Sequence, residues 1–127
     1  MTTPARNRQR AERKGHYAEW AAAALLSLKG YRLLKHRYKS PAGEIDLIAI
    51  KGGTVIFLEV KARKTIDTAI EAVTPRTQKR ICAAASMFFS RLAHFAQAGV
   101  RYDIIAIAGW RHKHIRGAWH DLSLIHI

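Results

Sequence analysis

The chain has 127 residues, of which 49% are apolar and 24% charged, enough for one domain with a core of its own. Its charge is lopsided: 22 Lys and Arg against 9 Asp and Glu give +13, which points to a polyanionic partner and first of all to nucleic acid. A single cysteine, Cys82, excludes an intrachain disulfide and a cysteine-built zinc cluster, and no apolar run reaches the length of a membrane span.

The basic N-terminus has no apolar stretch behind it, so it does not read as a secretory signal, and the expected location is the cytoplasm. Residues 1–10, with Arg6, Arg8 and Arg10, lack periodicity and read as a flexible basic arm suited to phosphates. Arg13 and Lys14 carry that charge into a helix expected from about residue 11 to residue 29, stopped by Gly30. Tyr17, Trp20, Ala21, Ala24, Leu25 and Leu28 follow the 3.6-residue period and form its expected core face. Ala22, Ala23 and Leu26 fill much of the other side, so the second half should pack on two sides. Glu19 stands at the mouth of that second face, either solvated or aimed at a positive group.

Residues 31–38 read as an edge strand and 39–43 as a turn. Residues 43–50 and 55–63 are rich in Ile, Leu, Val and Phe, and Gly52-Gly53 between them supplies the positive φ angles of a two-residue hairpin loop. With that loop Lys51 opposes Thr54. Counting outward, Ile48 opposes Phe57, Asp46 opposes Glu59 and Glu44 opposes Lys61, all on one face. Ile45, Leu47 and Ala49, with Ile56, Leu58 and Val60, should make the other face wholly apolar. Opposed Cβ atoms lie about 4.5–5.5 Å apart, and two carboxylates that close repel by about 4 kcal/mol at an effective dielectric near 20. Only a cation or a proton between them makes that arrangement favourable. Asp46, Glu59 and the Val60 carbonyl offer the hard oxygen ligands that Mg²⁺ or Mn²⁺ prefers. Lys61, on the same face, can orient an attacking water and stabilise negative charge in the transition state. An exposed sheet face on which Glu44–Lys61 and Glu59–Lys61 are ordinary ion pairs is the alternative that the residues leave open.

Arg63 and Lys64 continue the positive charge, and residues 66–73 read as a loop or a short helical turn. Thr74 as N-cap and Pro75 at the first helical position start a second long helix, with Ile81, Ala84, Ala85, Phe88, Leu92 and Phe95 at helical spacing. Arg76, Lys79 and Arg80 in its first turns oppose the helix dipole, so they are expected to face an external anion. Residues 100–108 read as a central strand whose Asp103 is a structural hydrogen-bond acceptor. Residues 109–119 interleave Trp110 and Trp119 with Arg111, Lys113 and Arg116, a hairpin or loop suited to stacking and phosphate contact; His112 and His114 read as solvated or phosphate-facing. Residues 120–127 form a tail of uncertain status, so the domain proper is placed at 11–119. The element order α-β-β-β-α-β predicts an α/β fold, a mixed sheet flanked by helices with a right-handed crossover through the Pro75 helix.

Asp46 followed by Glu59-Val60-Lys61 resembles the D…(D/E)-x-K signature of the restriction-endonuclease-like superfamily. Longer strings are similar to the YraN-like family: Gly15-x-x-x-Glu19, Gly30-Tyr31, Gly43-Glu44-Ile45-Asp46-Leu47-Ile48-Ala49, Phe57-Leu58-Glu59-Val60-Lys61-Ala62-Arg63, Lys79 and Tyr102-Asp103. These are small bacterial proteins with a fold similar to archaeal Holliday-junction resolvases. The resemblance spans about residues 11–119 and implies the restriction-endonuclease-like fold. It further implies Asp46 and Glu59 as ligands of Mg²⁺ (or Mn²⁺), Glu19 as the helix carboxylate completing that site, and Lys61 as the catalytic lysine. Where many relatives carry an Asn-x-Arg pattern, this chain has His36-Arg37-Tyr38. The function so implied is a Mg²⁺-dependent endonuclease hydrolysing DNA phosphodiester bonds, branched DNA among its substrates. DNA ranks ahead of RNA as the partner, and Arg13, Lys14, Arg37, Arg63, Arg76, Lys79 and Arg80 are the expected phosphate contacts. Cutting two strands symmetrically would need a homodimer. The alternative is a non-catalytic module that keeps the fold and binds DNA, or RNA in association with the ribosome.

Overall fold

A computed structural model describes residues 4–91 and 98–121, with side chains from Gly15 onward. Its elements are α1 (Pro4–Leu28), β1 (Arg32–Ser40), β2 (Gly43–Lys51), β3 (Thr54–Ala62), α2 (Ile66–Glu71), α3 (Pro75–Ser90), β4 (Gly99–Ala108) and β5 (Arg111–Trp119). The strands form one mixed sheet in the order β1-β2-β3-β4-β5. Only β3 and β4 run parallel, joined by the crossover through α2 and α3. Helices cover both faces: α1 packs on Leu47, Ala49, Ile56, Leu58 and Ile105, and α3 packs on Ile45, Ile48, Val55, Phe57 and Tyr102. This is the expected α/β architecture, a five-stranded mixed sheet flanked by helices and consistent with a restriction-endonuclease-like core.

Local chemistry sets the boundaries. Thr74 accepts a hydrogen bond from the Thr77 amide (3.2 Å) and Pro75 follows it, which starts α3. Thr65 caps α2 in the same way, through the Thr68 amide at 3.1 Å, so of the loop and the short helical turn expected here the helical one forms. The Gly52-Gly53 hairpin holds the expected register from Lys51↔Thr54 out to Leu47↔Leu58.

In α1 and β2, three features differ from the sequence expectation. The first is that α1 begins at Pro4, so residues 4–10, read as a flexible arm, continue the helix. After Pro4 at the helix start, nothing up to Lys14 breaks a helix, and most of the residues (Ala, Arg, Gln, Glu, Lys) favour one. The second is that α1 turns its other stripe inward. Ala18, Ala22, Ala23 and Leu26 are buried with Glu19, whereas Tyr17, Trp20 and Leu28 are 77%, 57% and 86% exposed. The sheet face is already filled by Leu and Ile, so a stripe of alanines lets the helix axis approach where a stripe carrying Trp20 and Tyr17 could not. The third concerns β2: Ile45 packs on the α3 side with Ile48, not with Leu47 and Ala49. Alternation breaks next to Arg37 and Asp46, which do not pair in the β1–β2 ladder. Arg37 has a left-handed φ of 57°, and the ladder skips from His36↔Leu47 to Tyr38↔Ile45.

At the other side of the sheet, residues 109–119 form the expected hairpin, with its turn at Gly109-Trp110 and β5 as its second strand, but His114 in it is not solvated. Its Nε2 lies 2.7 Å from Asp103 Oδ2, and Lys29 Nζ lies 3.3 Å from its Nδ1. With Lys29 donating at Nδ1, the ring proton sits on Nε2 and is donated to Asp103. Asp103 is fully buried and also accepts from Arg101 Nε and Nη2 (both 2.8 Å) and from the Gly117 amide (2.9 Å). Arg101 Nη2 in turn donates to the Tyr31 hydroxyl at 2.7 Å, which ties the β4–β5 pair to the end of α1. The carboxylate occupies the point where the β4–β5 register shifts between Tyr102 and Ile104. Burial opposes its ionisation, yet the bonds from His114, Arg101 and Gly117 hold its carboxyl below the usual range. Asp103 is the structural acceptor expected. Leu92, Phe95 and residues 122–127 lie outside the described residues.

Candidate metal centre

The carboxylates of the hairpin do not simply oppose one another. Beyond Leu47↔Leu58 the ladder stops, and Asp46 Oδ2 accepts a hydrogen bond from the Val60 amide at 2.8 Å. A side chain thus takes the donor that a backbone carbonyl would have used, and the two strands part at Asp46. Glu59 is buried on β3, and Lys61 Nζ stands 3.2 Å from its Oε1. Glu44 is not part of this group: it is exposed and pairs with Lys39 at 3.7 Å, not with Lys61.

α1 crosses above the parted strands and brings Glu19 down into them, buried. Its Oε2 lies 3.3 Å from Arg37 Nε and 3.7 Å from His36 Nε2, and the Trp20 ring covers His36 with centroids 4.3 Å apart. The inward alanine stripe of α1 is what aims Glu19 here, because Glu19 sits between Ala18 and Ala22 on the helix surface. A cavity of about 300 Å³ collects Glu19, Arg37, Asp46, Glu59, Lys61 and Arg63. All four residues expected at the site, Asp46, Glu59, Lys61 and Glu19, therefore line one cavity.

The expected phosphate contacts divide. Arg37 and Arg63 line the cavity, Arg37 as the partner of Glu19. Arg76, Lys79 and Arg80 are exposed on α3, which covers the opposite face of the sheet from α1. The side chains of Arg13 and Lys14 lie outside the described residues. His36 was not singled out by sequence reasoning, since no motif marks a lone histidine in an edge strand.

Electrostatics at the site is dominated by burial and by Asp46. Burial, then the Asp46 charge, push Glu59 up to about 8 against the pull of Lys61. The same two causes push Glu19 up to about 7 against the pull of Arg37. His36 is lowered by burial and by Arg37, which favours a neutral imidazole. Glu19 Oε2 and His36 Nε2 are both buried without a hydrogen-bond partner. Near neutral pH the cavity therefore holds carboxylates that can keep their charge only with more positive charge beside them. A divalent cation is the chemistry that fits such a donor set. Among the described residues no three or more His, Cys, Asp or Glu side chains stand close enough together to hold a metal ion between them. Mg²⁺ or Mn²⁺ needs only one or two carboxylates when water and phosphate oxygens complete the octahedron, so Asp46 with Glu59 would be the pair to hold it.

A stability test follows from the sign of these shifts. Carboxyls whose native values lie above the unfolded value of 4.5 make the folded state bind extra protons between roughly pH 4.5 and 8. Metal-free protein is expected to lose stability as pH rises through that window, and Glu59→Gln to remove much of the slope. Thermal unfolding from pH 5 to pH 8.5 in a chelator measures this; a flat profile would mean that neither glutamate is perturbed.

The profile of uncharacterised protein family UPF0102 matches residues 18–107, a span that holds Glu19, Asp46, Glu59 and Lys61. A UPF0102 protein from Chelativorans sp. (strain BNC1) is 54% identical over 101 residues, covering 80% of this chain and 82% of the relative. The UPF0102 protein mlr4633 of Mesorhizobium japonicum is 45% identical over 118 residues, covering 92% and 94%. The UPF0102 protein amb4503 of Paramagnetospirillum magneticum is 46% identical over 121 residues, covering 91% and 94%. Identity of that extent over nearly whole chains shows the family: this chain belongs to uncharacterised protein family UPF0102, the YraN family that its motifs resemble.

Proposed function

We propose that this protein is a Mg²⁺- or Mn²⁺-dependent endonuclease that hydrolyses DNA phosphodiester bonds, branched DNA among its substrates, in the cytoplasm. The observation that carries the reading is the cavity in which three carboxylates from α1, β2 and β3 meet Lys61 within a chain of net charge +13. Asp46 and Glu59 would hold the ion, with Glu19 beside them. When bound, that ion withdraws charge from the scissile phosphate and lowers the pKa of a coordinated water.

The remaining work belongs to the chain's own side chains. The Val60 amide fixes Asp46, so its carboxylate reaches the cavity in one orientation. Lys61, held by Glu59, offers an ammonium to the attacking water and to the charge that develops on the phosphate. Arg63 and Arg37 line the same cavity and offset the negative charge of the incoming backbone. One cavity per chain serves one strand, so symmetrical cutting of both strands would require two copies.

A second reading is a nucleic-acid-binding module without turnover. What supports it is that Glu19–Arg37 and Glu59–Lys61 already form ion pairs within the protein. Nicking of supercoiled plasmid and of four-way-junction DNA separates the two. Wild type should cut with Mg²⁺ or Mn²⁺ and stop in a chelator. Asp46→Asn, which keeps an oxygen for the Val60 amide but loses the charge, should bind and not cut. Binding by wild type with no metal-dependent cleavage on either substrate would leave the binding module as the function.

A further inference from the structure

A second, larger groove of about 750 Å³ adjoins the metal cavity, and two solvent-exposed aromatic side chains from separate elements line it. Tyr17 of α1 is 77% exposed and Trp110, in the β4–β5 turn, is 89% exposed. Between these elements the groove is lined by small residues, Ala18, Ala21, Ala62 and Gly109, which leave room for a flat ligand. Arg63 and Lys64 complete it, and Arg63 lines the metal cavity as well. The Arg111 guanidinium lies 6.0 Å from the centre of the Trp110 ring, a cation–π contact that steadies the indole and adds positive charge. We infer that this groove is a base-stacking site, in which unpaired nucleotides next to the scissile phosphate lie on Tyr17 and Trp110.

The inference rests on the nucleic-acid reading of the adjacent cavity and narrows its substrate class. Aromatic faces beside cations are the means by which proteins hold single-stranded nucleic acid without reading its sequence. Paired bases already stack on one another inside a duplex and offer no free face. A groove built this way therefore favours a strand with unpaired nucleotides: a fork, a flap, an opened junction arm or a single-stranded end. Charge complementarity argues against an apolar protein segment as occupant, because Arg63 and Lys64 stand along the groove and no acidic residue lines it among the described residues. The groove volume is also within the range of about 300–1,000 Å³ usual for ligand sites.

Fluorescence anisotropy in a chelator, where nothing is cut, tests the site with three labelled probes: a blunt duplex, the same duplex with a single-stranded fork, and a fork whose arm is abasic. Wild type should bind the fork about 5- to 150-fold more tightly than the blunt duplex, the value of one stacked base. The abasic arm should lose that advantage. Trp110→Ala and Tyr17→Ala should lose most of it while still binding the blunt duplex, and Trp110→Phe should keep most of it. Both side chains are exposed, so circular dichroism and thermal midpoints should match wild type. Equal affinity of wild type and both alanine variants for the fork would overturn the stacking site and leave duplex binding intact. A change from dimer to monomer in Trp110→Ala with unchanged DNA affinity would mark the groove as a self-interface and also overturn it. No binding of any probe by wild type at low salt would remove the nucleic-acid reading itself.

Discussion

Lys61→Ala should lower the single-turnover rate of metal-dependent DNA cleavage by about 10²–10³-fold, the usual loss on removing one preorganised group that stabilises transition-state charge. Affinity for DNA should change far less, because Lys61 is one cation among 22 Lys and Arg and most of the binding is long-range charge. The variant also carries a signature beyond its rate. Lys61 is the group that pulls Glu59 down against burial and the Asp46 charge. Without it Glu59 binds its proton still more tightly, so the acid limb of the pH–rate profile should move to higher pH. Raising Mn²⁺ should recover part of the loss on the acid limb, where metal and proton compete for Glu59, and little at high pH, where the loss is that of the ammonium itself. A rate that falls with an unmoved acid limb would mean that Glu59 does not sense Lys61, which the 3.2 Å contact forbids.

The largest effect on stability should come from Asp103→Ala, at about 3–5 kcal/mol. The substitution strands Arg101, whose guanidinium makes two bonds to the carboxylate, together with the His114 ring and the Gly117 amide. Each was desolvated on the expectation of that partner. Asp103→Asn should cost less but still substantially, because an amide cannot accept from all of these donors at once. The pH dependence has the opposite sign from that of the glutamates. A carboxyl held below its unfolded value contributes stability that is present above pH 3.8 and lost as the pH falls further. Urea unfolding at pH 7 and pH 3 should therefore show the gap between wild type and Asp103→Ala narrowing in acid. An equal gap at both pH values would mean that the carboxylate's charge does not matter.

Much of the site was legible in the chain because hairpins obey simple rules. Gly52-Gly53 fixed the loop, and the loop fixed which residues face each other as far as Leu47 and Leu58. That was enough to bring Asp46 and Glu59 to one end of the strand pair. What alternation could not foresee is that the Asp46 side chain would take the Val60 amide from the ladder, or that Arg37 would turn left-handed opposite it. Both are local exceptions to the period, and both serve to open the cavity.

The reading of α1 erred for a different reason. Periodicity finds an apolar stripe but carries no sign, and this helix has two of them. The larger side chains, Tyr17, Trp20 and Leu28, looked like core, yet the tightly filled sheet accepts only the alanine stripe. Glu19, expected at the mouth of that second stripe, is aimed at the cavity because the stripe faces inward. The error hid Tyr17 as a surface aromatic. His114 was misjudged likewise: its partner Asp103 is eleven residues away in sequence, and no local pattern announces a pairing across a strand turn.

In the proposed metal centre Asp46 and Glu59, with Glu19 beside them, would give up protons to take a divalent metal. Calorimetric titration of wild type with Mn²⁺ at pH 7.5, repeated in buffers of different ionisation enthalpy, tests it most directly. Binding should be saturable with net proton release, weaker at pH 5.5 and absent in Asp46→Asn and Glu59→Gln. Binding without proton release, or binding that survives both substitutions, would contradict it.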